Sequence, residues 1–256
     1  MAAVGIRDEV KKYSNISVNE RGDIDVYEKR LFRDLIRRKE LEIILPSISS
    51  WSPKLILDYG CGAGWLSALL NRCKGFDVVG VDISPYLLKN AKKLCSRAEF
   101  IACDAEKLPF KGSTFDCVVG IAILHHLRLE RSCKEINGVL CEESTFIFME
   151  PNSLNPLSAL GRRFFPTKAH TKGEGQFVPS HLKTVLSQTG LVSERYFNLF
   201  FFSFPLARLF KIAKIRPRLL LIRMASSLEN LMQIMPGMKQ LNSTIVAIGK
   251  SERRLP

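Results

Sequence analysis

The residues whose types and spacing best suit chemistry lie in the stretch Leu57-Asp58-Tyr59-Gly60-Cys61-Gly62-Ala63-Gly64. It follows an apolar run, Lys54 to Asp58, that reads as a buried strand, and precedes Trp65 to Cys73, which reads as a helix. Glycines at such a turn let the backbone bend tightly and approach a ligand that a Cβ would push away. Two further carboxylates stand where the next strands should end: Asp82, 22 residues after Gly60, and Asp104. The first can accept hydrogen bonds from both hydroxyls of a ribose. The second can accept from an exocyclic amine such as that of adenine, or cap a helix. The glycines run GxGxG behind Asp58 rather than GxGxxG. A dinucleotide needs helix N–H groups turned on its pyrophosphate, which a carboxylate beside the loop would repel. That carboxylate suits a ligand with an α-amino group and a sulfonium cation, so the charge pattern favours S-adenosylmethionine (SAM) over NAD.

The elements that must position these groups follow from hydropathy. After Pro53, apolar runs at Asp77–Asp82, Glu99–Cys103, Phe115–Ile121 and Thr145–Met149 alternate with amphipathic stretches. Strands apolar on both faces, separated by helices, predict an α/β fold with a parallel sheet covered on both sides. Ser84 caps one of the helices with Pro85 at its first turn, and Leu87, Leu88, Ala91, Leu94 and Cys95 form its inner face. Another helix is predicted over 129–139. Ahead of this core, residues 1–50 form a segment whose helical stripe runs Tyr27, Leu31, Leu35, Leu41 and Leu45 and stops at Pro46. It is expected to pack on or cap the domain that fills 51–256. Residues 151–178, rich in Pro, Asn, Gly and basic side chains, read as a long loop. Ser180–Gln188 reads as a helix, 191–202 as a strand, and Thr244–Gly249 as the closing strand.

Composition narrows the class. Hydrophobic residues make up 46% and charged residues 25% of the 256, which excludes a chain disordered throughout. Lys and Arg number 38 against 25 acidic residues, a formal surplus of +13 that favours anionic partners without choosing among lipid, nucleic acid and acidic protein. The seven cysteines show no CxxC spacing and no nearby His at zinc-finger spacing, so no metal site is expected. An odd cysteine count and an N-terminus without an apolar signal stretch lead to a cytoplasmic expectation.

LDYGCGAG, VVGVDIS, FIACDAEKLPF and FDCVVGIAILHHL, taken in order, resemble the successive motifs of class I SAM-dependent methyltransferases. Within that class they are closest in type to the small-molecule group related to ubiquinone and menaquinone methyltransferases. The resemblance spans about residues 54–127. It implies a Rossmann-like three-layer sandwich with a mostly parallel sheet, an antiparallel last strand and a helical insertion near the C-terminus. It also implies that Gly60 and Gly62 pass under the methionine part while Asp58 orders the loop. Asp82 would hold the ribose, Asp104 and the Ala105 amide the adenine, and Ile121 or Ala122 would lie near the methionine end. Cys61 and Ile83 complete the expected cofactor contacts. Two departures stand out. The Pro-Gly-Gly turn usual in this group is replaced by Gly138-Val-Leu-Cys-Glu-Glu-Ser144, and the Pro-Pro-Tyr signature of amide and adenine N-methyltransferases is absent, its place taken by Ala122-Ile-Leu-His-His126.

Methyl transfer from a sulfonium is an in-line displacement, so the protein supplies mainly alignment and, where needed, a base. His125 and His126 follow the fourth strand and are the candidate bases, unless they serve local packing. Glu150 and His170 are weaker candidates. In the segment 205–236, Leu206, Leu209, Phe210 and Ala213 share one helical face, and Leu228, Leu231, Met232 and Met235 form a second stripe. A basic amphipathic helix of this kind can lid a greasy substrate, lie on an anionic membrane, or simply pack on the core. The expected reaction is therefore transfer of a methyl group from SAM to a small, apolar or quinone-like acceptor. The alternatives are methylation of protein or RNA, a nicotinamide-dependent oxidoreductase, and a silent SAM-binding subunit. Nucleic acid is disfavoured because no recognised binding module accompanies the charge.

Overall fold

A computed structural model describes residues 24–73, 76–164, 177–199 and 238–252, with isolated positions between 224 and 235; among these, side chains are described from Ile36 onward except at 161–164 and 239. In chain order the elements are α1 (Ile24–Trp51), β1 (Leu55–Tyr59), α2 (Trp65–Leu70), β2 (Asp77–Asp82), α3 (Pro85–Leu94) and β3 (Glu99–Ala102). There follow β4 (Phe115–Ile121), a 3-10 turn at Leu124–His126, α4 (Leu129–Val139), β5 (Leu140–Pro151), α5 (Pro156–Phe164), α6 (Pro179–Gln188), β6 (Leu191–Leu199) and β7 (Thr244–Ser251). The strands form one sheet in the order β3-β2-β1-β4-β5-β7-β6. β3, β2, β1, β4 and β5 are parallel neighbours, and the sheet closes antiparallel at its end, as expected for the Rossmann-like class.

Burial on both faces explains why the strands lack polar alternation. Ile56, Leu57, Val118, Val119, Phe146, Ile147 and Phe148 have no exposed surface. α3 starts where its cap predicts, with Pro85 at the first position and Leu87 N donating to Ser84 Oγ at 3.4 Å. Leu88 and Ala91 are its buried face.

The chain forms two compact units. Residues 50–151, 173–197 and 245–256 make the unit that carries the sheet, and residues 1–49, 152–172 and 198–244 make the other. The second of these is knit by buried asparagines. Asn152 Nδ2 donates to the carbonyls of Gln240 and Asn242 at 2.8 and 2.6 Å, and Asn155 Nδ2 to Leu241 O at 2.7 Å.

Three expectations of local structure differ. α1 does not stop at Pro46 but continues to Trp51. Leu45 and Ile48 are buried on either side of the proline, and Ser47 Oγ donates to Ile43 O at 2.8 Å, so packing outweighs one lost backbone bond. The stretch expected as a long loop contains α5, started by Pro156 and capped by Asn155 Oδ1, which accepts from Ser158 N at 2.7 Å. Residues 165–176 lie outside the described residues. The turn expected at 138–144 is instead the end of α4 and the start of β5, where pairing jumps from Phe115↔Leu140 to Cys117↔Thr145 and Glu143 adopts φ +58°, a bulge that absorbs the extra residues. Most of 205–236, with the stripe Leu206–Ala213, lies outside the described residues, and so does His170. No helix among the described residues is long and apolar enough to cross a membrane.

Candidate functional site

The strand order sets the carboxyl ends of β3, β2, β1, β4 and β5 side by side. The groups that follow them therefore form a row: Asp104, Asp82, the glycine loop, Ala122 with His125, and Glu150. At about 4.8 Å per strand, four steps give a row of about 19 Å. Ligands of open α/β sheets bind outside this edge.

The glycine loop is shaped by its neighbours. Gly60 adopts φ +73°, and a Cβ there would meet Ile123 Cγ1 at 2.6 Å, so only glycine lets the loop after β4 close over it. Gly62 also has positive φ, +53°, yet nothing lies within 4 Å of where its Cβ would be. The space above Gly62 is open, a cradle that a side chain would fill. The loop is tied across the sheet by Cys61 N donating to Val81 O and by Gly62 N donating to Asp82 Oδ2, both at 2.9 Å. Asp82 Oδ1 accepts from Ser84 N at 2.9 Å. The Asp82 carboxylate is thereby fixed in direction, and it remains half-buried rather than sealed.

Asp58 plays a different part from Asp82. It is 3% exposed and turns inward, where Oδ2 accepts from Ser67 N at 3.0 Å and from Ser67 Oγ at 2.5 Å. It thus anchors α2 to the end of β1 and orders the loop between them. Burial pushes its pKa up to about 6, against the two Ser67 hydrogen bonds that lower it. Asp104 is exposed, its Oδ1 accepting from Glu106 N at 2.8 Å in a tight turn. Ala105 O accepts from Tyr59 Oη at 2.6 Å, which fixes the same turn to β1. Ile83, the residue after β2 and next to Asp82, is 76% exposed, an apolar surface suited to a flat ring. Ile121, half-buried, ends β4.

Cys61 is placed differently from a ligand-contacting side chain. It is buried, its Sγ packs toward Gly80, and burial raises its thiol pKa. Only its backbone faces the loop's work. His125 and His126 fall in the 3-10 turn, their ring centroids 3.9 Å apart. Two residues that matter to the geometry, Ser67 and Ile123, escaped the sequence reading, and so did the pairing of Glu150 with His125. Nothing in local periodicity signals them, because each acts on a partner between 9 and 63 residues away in the chain.

The row has no Lys or Arg in its glycine loop and leaves two carboxylates, Asp82 and Asp104, open, so it fits a cationic adenosyl group better than a pyrophosphate. Residues 57–148 match the family model described as a methyltransferase domain. That match agrees with the resemblance of this stretch to class I SAM-dependent methyltransferases.

Known proteins similar to this methyltransferase domain include the demethylmenaquinone methyltransferase of Chlorobaculum tepidum, 32% identical over 129 residues, half of each chain. The mitochondrial arginine-hydroxylase NDUFAF5 of Homo sapiens is 35% identical over 94 residues, 36% of this chain and 27% of that one. Among solved structures, a putative sarcosine dimethylglycine methyltransferase from Galdieria sulphuraria superposes with a TM-score of 0.61 at 13% identity. That superposition covers 96% of this chain and 98% of the other, and it is a likeness of fold. The chain spans about half the length of the first curated relatives it matches. Among the described residues no group of three or more His, Cys, Asp or Glu could hold a metal ion.

Proposed function

We propose that this protein transfers a methyl group from SAM to a small, apolar acceptor. The observation that carries the reading is the open cradle at Gly62 with Asp82 fixed beside it, two steps along the sheet edge from the loop that holds His125. In this reading Asp82 accepts from the ribose hydroxyls, Asp104 and the Ala105 amide take the adenine against Ile83, and the backbone at Gly60 and Gly62 underlies the methionine part. Asp58 acts indirectly, through Ser67. Bound SAM supplies an electrophilic methyl carbon on a sulfonium. The chain then has only to align an acceptor and, where the acceptor is protic, remove a proton.

Support for an apolar acceptor comes from the similarity to a demethylmenaquinone methyltransferase. A second reading, methylation of RNA or protein, is favoured by the surplus of +13 and by similarity to an 18S rRNA (guanine-N(7))-methyltransferase of Schizosaccharomyces pombe. The deciding experiment offers SAM with a labelled methyl group to a naphthol, a structured RNA and a basic protein in parallel. Label in the naphthol alone supports the proposal; label only in RNA or protein replaces it with the second reading. Calorimetry belongs beside it, since tight binding of NAD and none of SAM would overturn both.

A further inference from the structure

The β5 end of the row carries a constellation that cofactor binding leaves unused. Glu150 is wholly buried. Its Oε1 accepts from Ile123 N at 2.9 Å and Leu124 N at 2.8 Å, and its Oε2 from His125 N at 3.4 Å. The same Oε2 lies 2.8 Å from His125 Nδ1. Three backbone N–H groups donate to this carboxylate, so both of its oxygens are acceptors. An acceptor oxygen at 2.8 Å from Nδ1 selects the Nδ1–H tautomer of His125, which leaves a lone pair on Nε2.

The loop that carries His125 is held firmly against the cofactor cradle. Ala122 adopts φ +56°, backbone that a non-glycine residue keeps only where its surroundings enforce it, and its N–H is bonded to Met149 O at 2.8 Å. One residue on, Ile123 closes over Gly60. The His125 side chain is 13% exposed, sheltered but not sealed. His126, whose ring lies 3.9 Å away, is exposed.

We propose that His125 and Glu150 form a proton-accepting dyad, and that the methyl acceptor is a hydroxyl compound, an enol or a phenol, whose proton passes to His125 Nε2. The proposal rests on the SAM reading above. A hydroxyl oxygen is a weak nucleophile until its proton leaves, whereas an amine or thioether attacks through a free lone pair; a base held in one tautomer is what the hydroxyl requires. In the step, the oxygen forms a bond to the methyl carbon as the carbon–sulfur bond breaks, its electron pair returning to sulfur and cancelling the sulfonium charge. The hydroxyl proton moves to Nε2, and the imidazolium so formed lies against the Glu150 carboxylate. Glu150 is the positioning residue and His125 the catalytic one. The titratable groups facing His125 are His126 and Glu150; behind Glu150 lies the Cys133 thiol, pushed up to about 12 by burial.

The test uses the full chain. Long-range proton–nitrogen NMR of the histidine-labelled protein reads the tautomer directly, without turnover. His125 is expected in the Nδ1–H form, and Glu150→Gln is expected to move the proton to Nε2. The amide keeps the shape and the carbonyl acceptor but turns an NH2 on Nδ1, as in carboxylate-to-amide changes behind a catalytic histidine. In single turnover with SAM, 1-naphthol is expected to be methylated in preference to 1-naphthylamine. His125→Ala and Glu150→Gln should each slow that reaction at least about 100-fold, with calorimetric SAM affinity unchanged. An Nε2–H tautomer in the wild type, a tautomer indifferent to Glu150→Gln, undiminished turnover in the variants, or no preference for the naphthol would overturn the dyad. Failure of the wild type to bind SAM would instead sink the cofactor reading, while the tautomer remains readable.

Discussion

Asp82 at the end of β2 and Glu150 at the end of β5 begin from the same chemistry. Each reaches from its own strand end to backbone N–H groups in the loop after a neighbouring strand: Gly62 for Asp82, and Ile123, Leu124 and His125 for Glu150. They differ in what is left over. Asp82 is half-buried and holds two N–H groups, so its oxygens keep accepting capacity toward the open side. Glu150 is sealed from solvent and is met by three N–H groups and a ring nitrogen. Burial and saturation, rather than residue type, separate a carboxylate left open to a ligand from one that builds the frame. Asp58, sealed and committed to Ser67, falls on the framework side although it sits beside the glycine loop.

The comparison breaks most easily at Glu150. Glu150→Ala leaves three buried or half-buried N–H groups without an acceptor and should cost about 3–5 kcal/mol of stability, read as a drop in urea midpoint. Glu150→Gln should cost much less. Equal losses would mean that the hydrogen-bonded frame is not what holds the 122–126 loop.

Next in size is the pH response of Asp58. Burial favours its protonated form, so its contribution to folding is present below about pH 4 and is lost as pH rises through about 6. The rise from its ordinary value of 3.8 corresponds to about 3 kcal/mol at neutral pH. A cation bound nearby favours the carboxylate and offsets part of that cost. SAM affinity should therefore rise as pH increases through about 6, by about tenfold for each unit that the cofactor lowers the pKa. Calorimetry from pH 5 to 8 checks this, and Asp58→Asn should flatten the profile.

Asp82→Ala should weaken SAM binding by about 1–3 kcal/mol if it holds the ribose through charged hydrogen bonds. Its melting temperature should move far less than that of Glu150→Ala. The opposite ranking would place Asp82 with the framework carboxylates. The smallest effect sharpens the contrast within the loop itself. Gly62→Ala meets open space and should cost about 1 kcal/mol of stability for its positive φ, with the loss felt chiefly in SAM affinity. Gly60→Ala drives a Cβ into Ile123 and should lose stability first.

What could be read from residues alone was whatever local order dictates. The bounds of β2 and β4 follow from continuous apolar runs, and the start of α3 from Ser84 and Pro85, because cap, proline and apolar spacing act over a few residues. The three acidic strand ends and the glycine spacing likewise pointed to a cationic adenosyl cofactor through charge and backbone freedom. Elements were misjudged where a local signal is ambiguous. Pro46 normally ends a helix, yet buried Leu45 and Ile48 carry α1 past it, and Asn155-Pro156 reads equally as loop and as helix start.

The site divides in the same way. Asp82 and Asp104 could be placed by counting to the ends of strands, but Asp58 could not be turned toward Ser67, nor Ile123 laid over Gly60, without the sheet. His125 was a candidate by position, and its distinction from His126 came only when β4 and β5 paired and brought Glu150, 25 residues away in the chain, within 2.8 Å of its ring. Residue type and spacing determined which groups this protein owns and the charge of the ligand they suit. Packing of strands distant in sequence decided which carboxylates stay open and which are sealed, since exposure belongs to the folded surface and not to the chain.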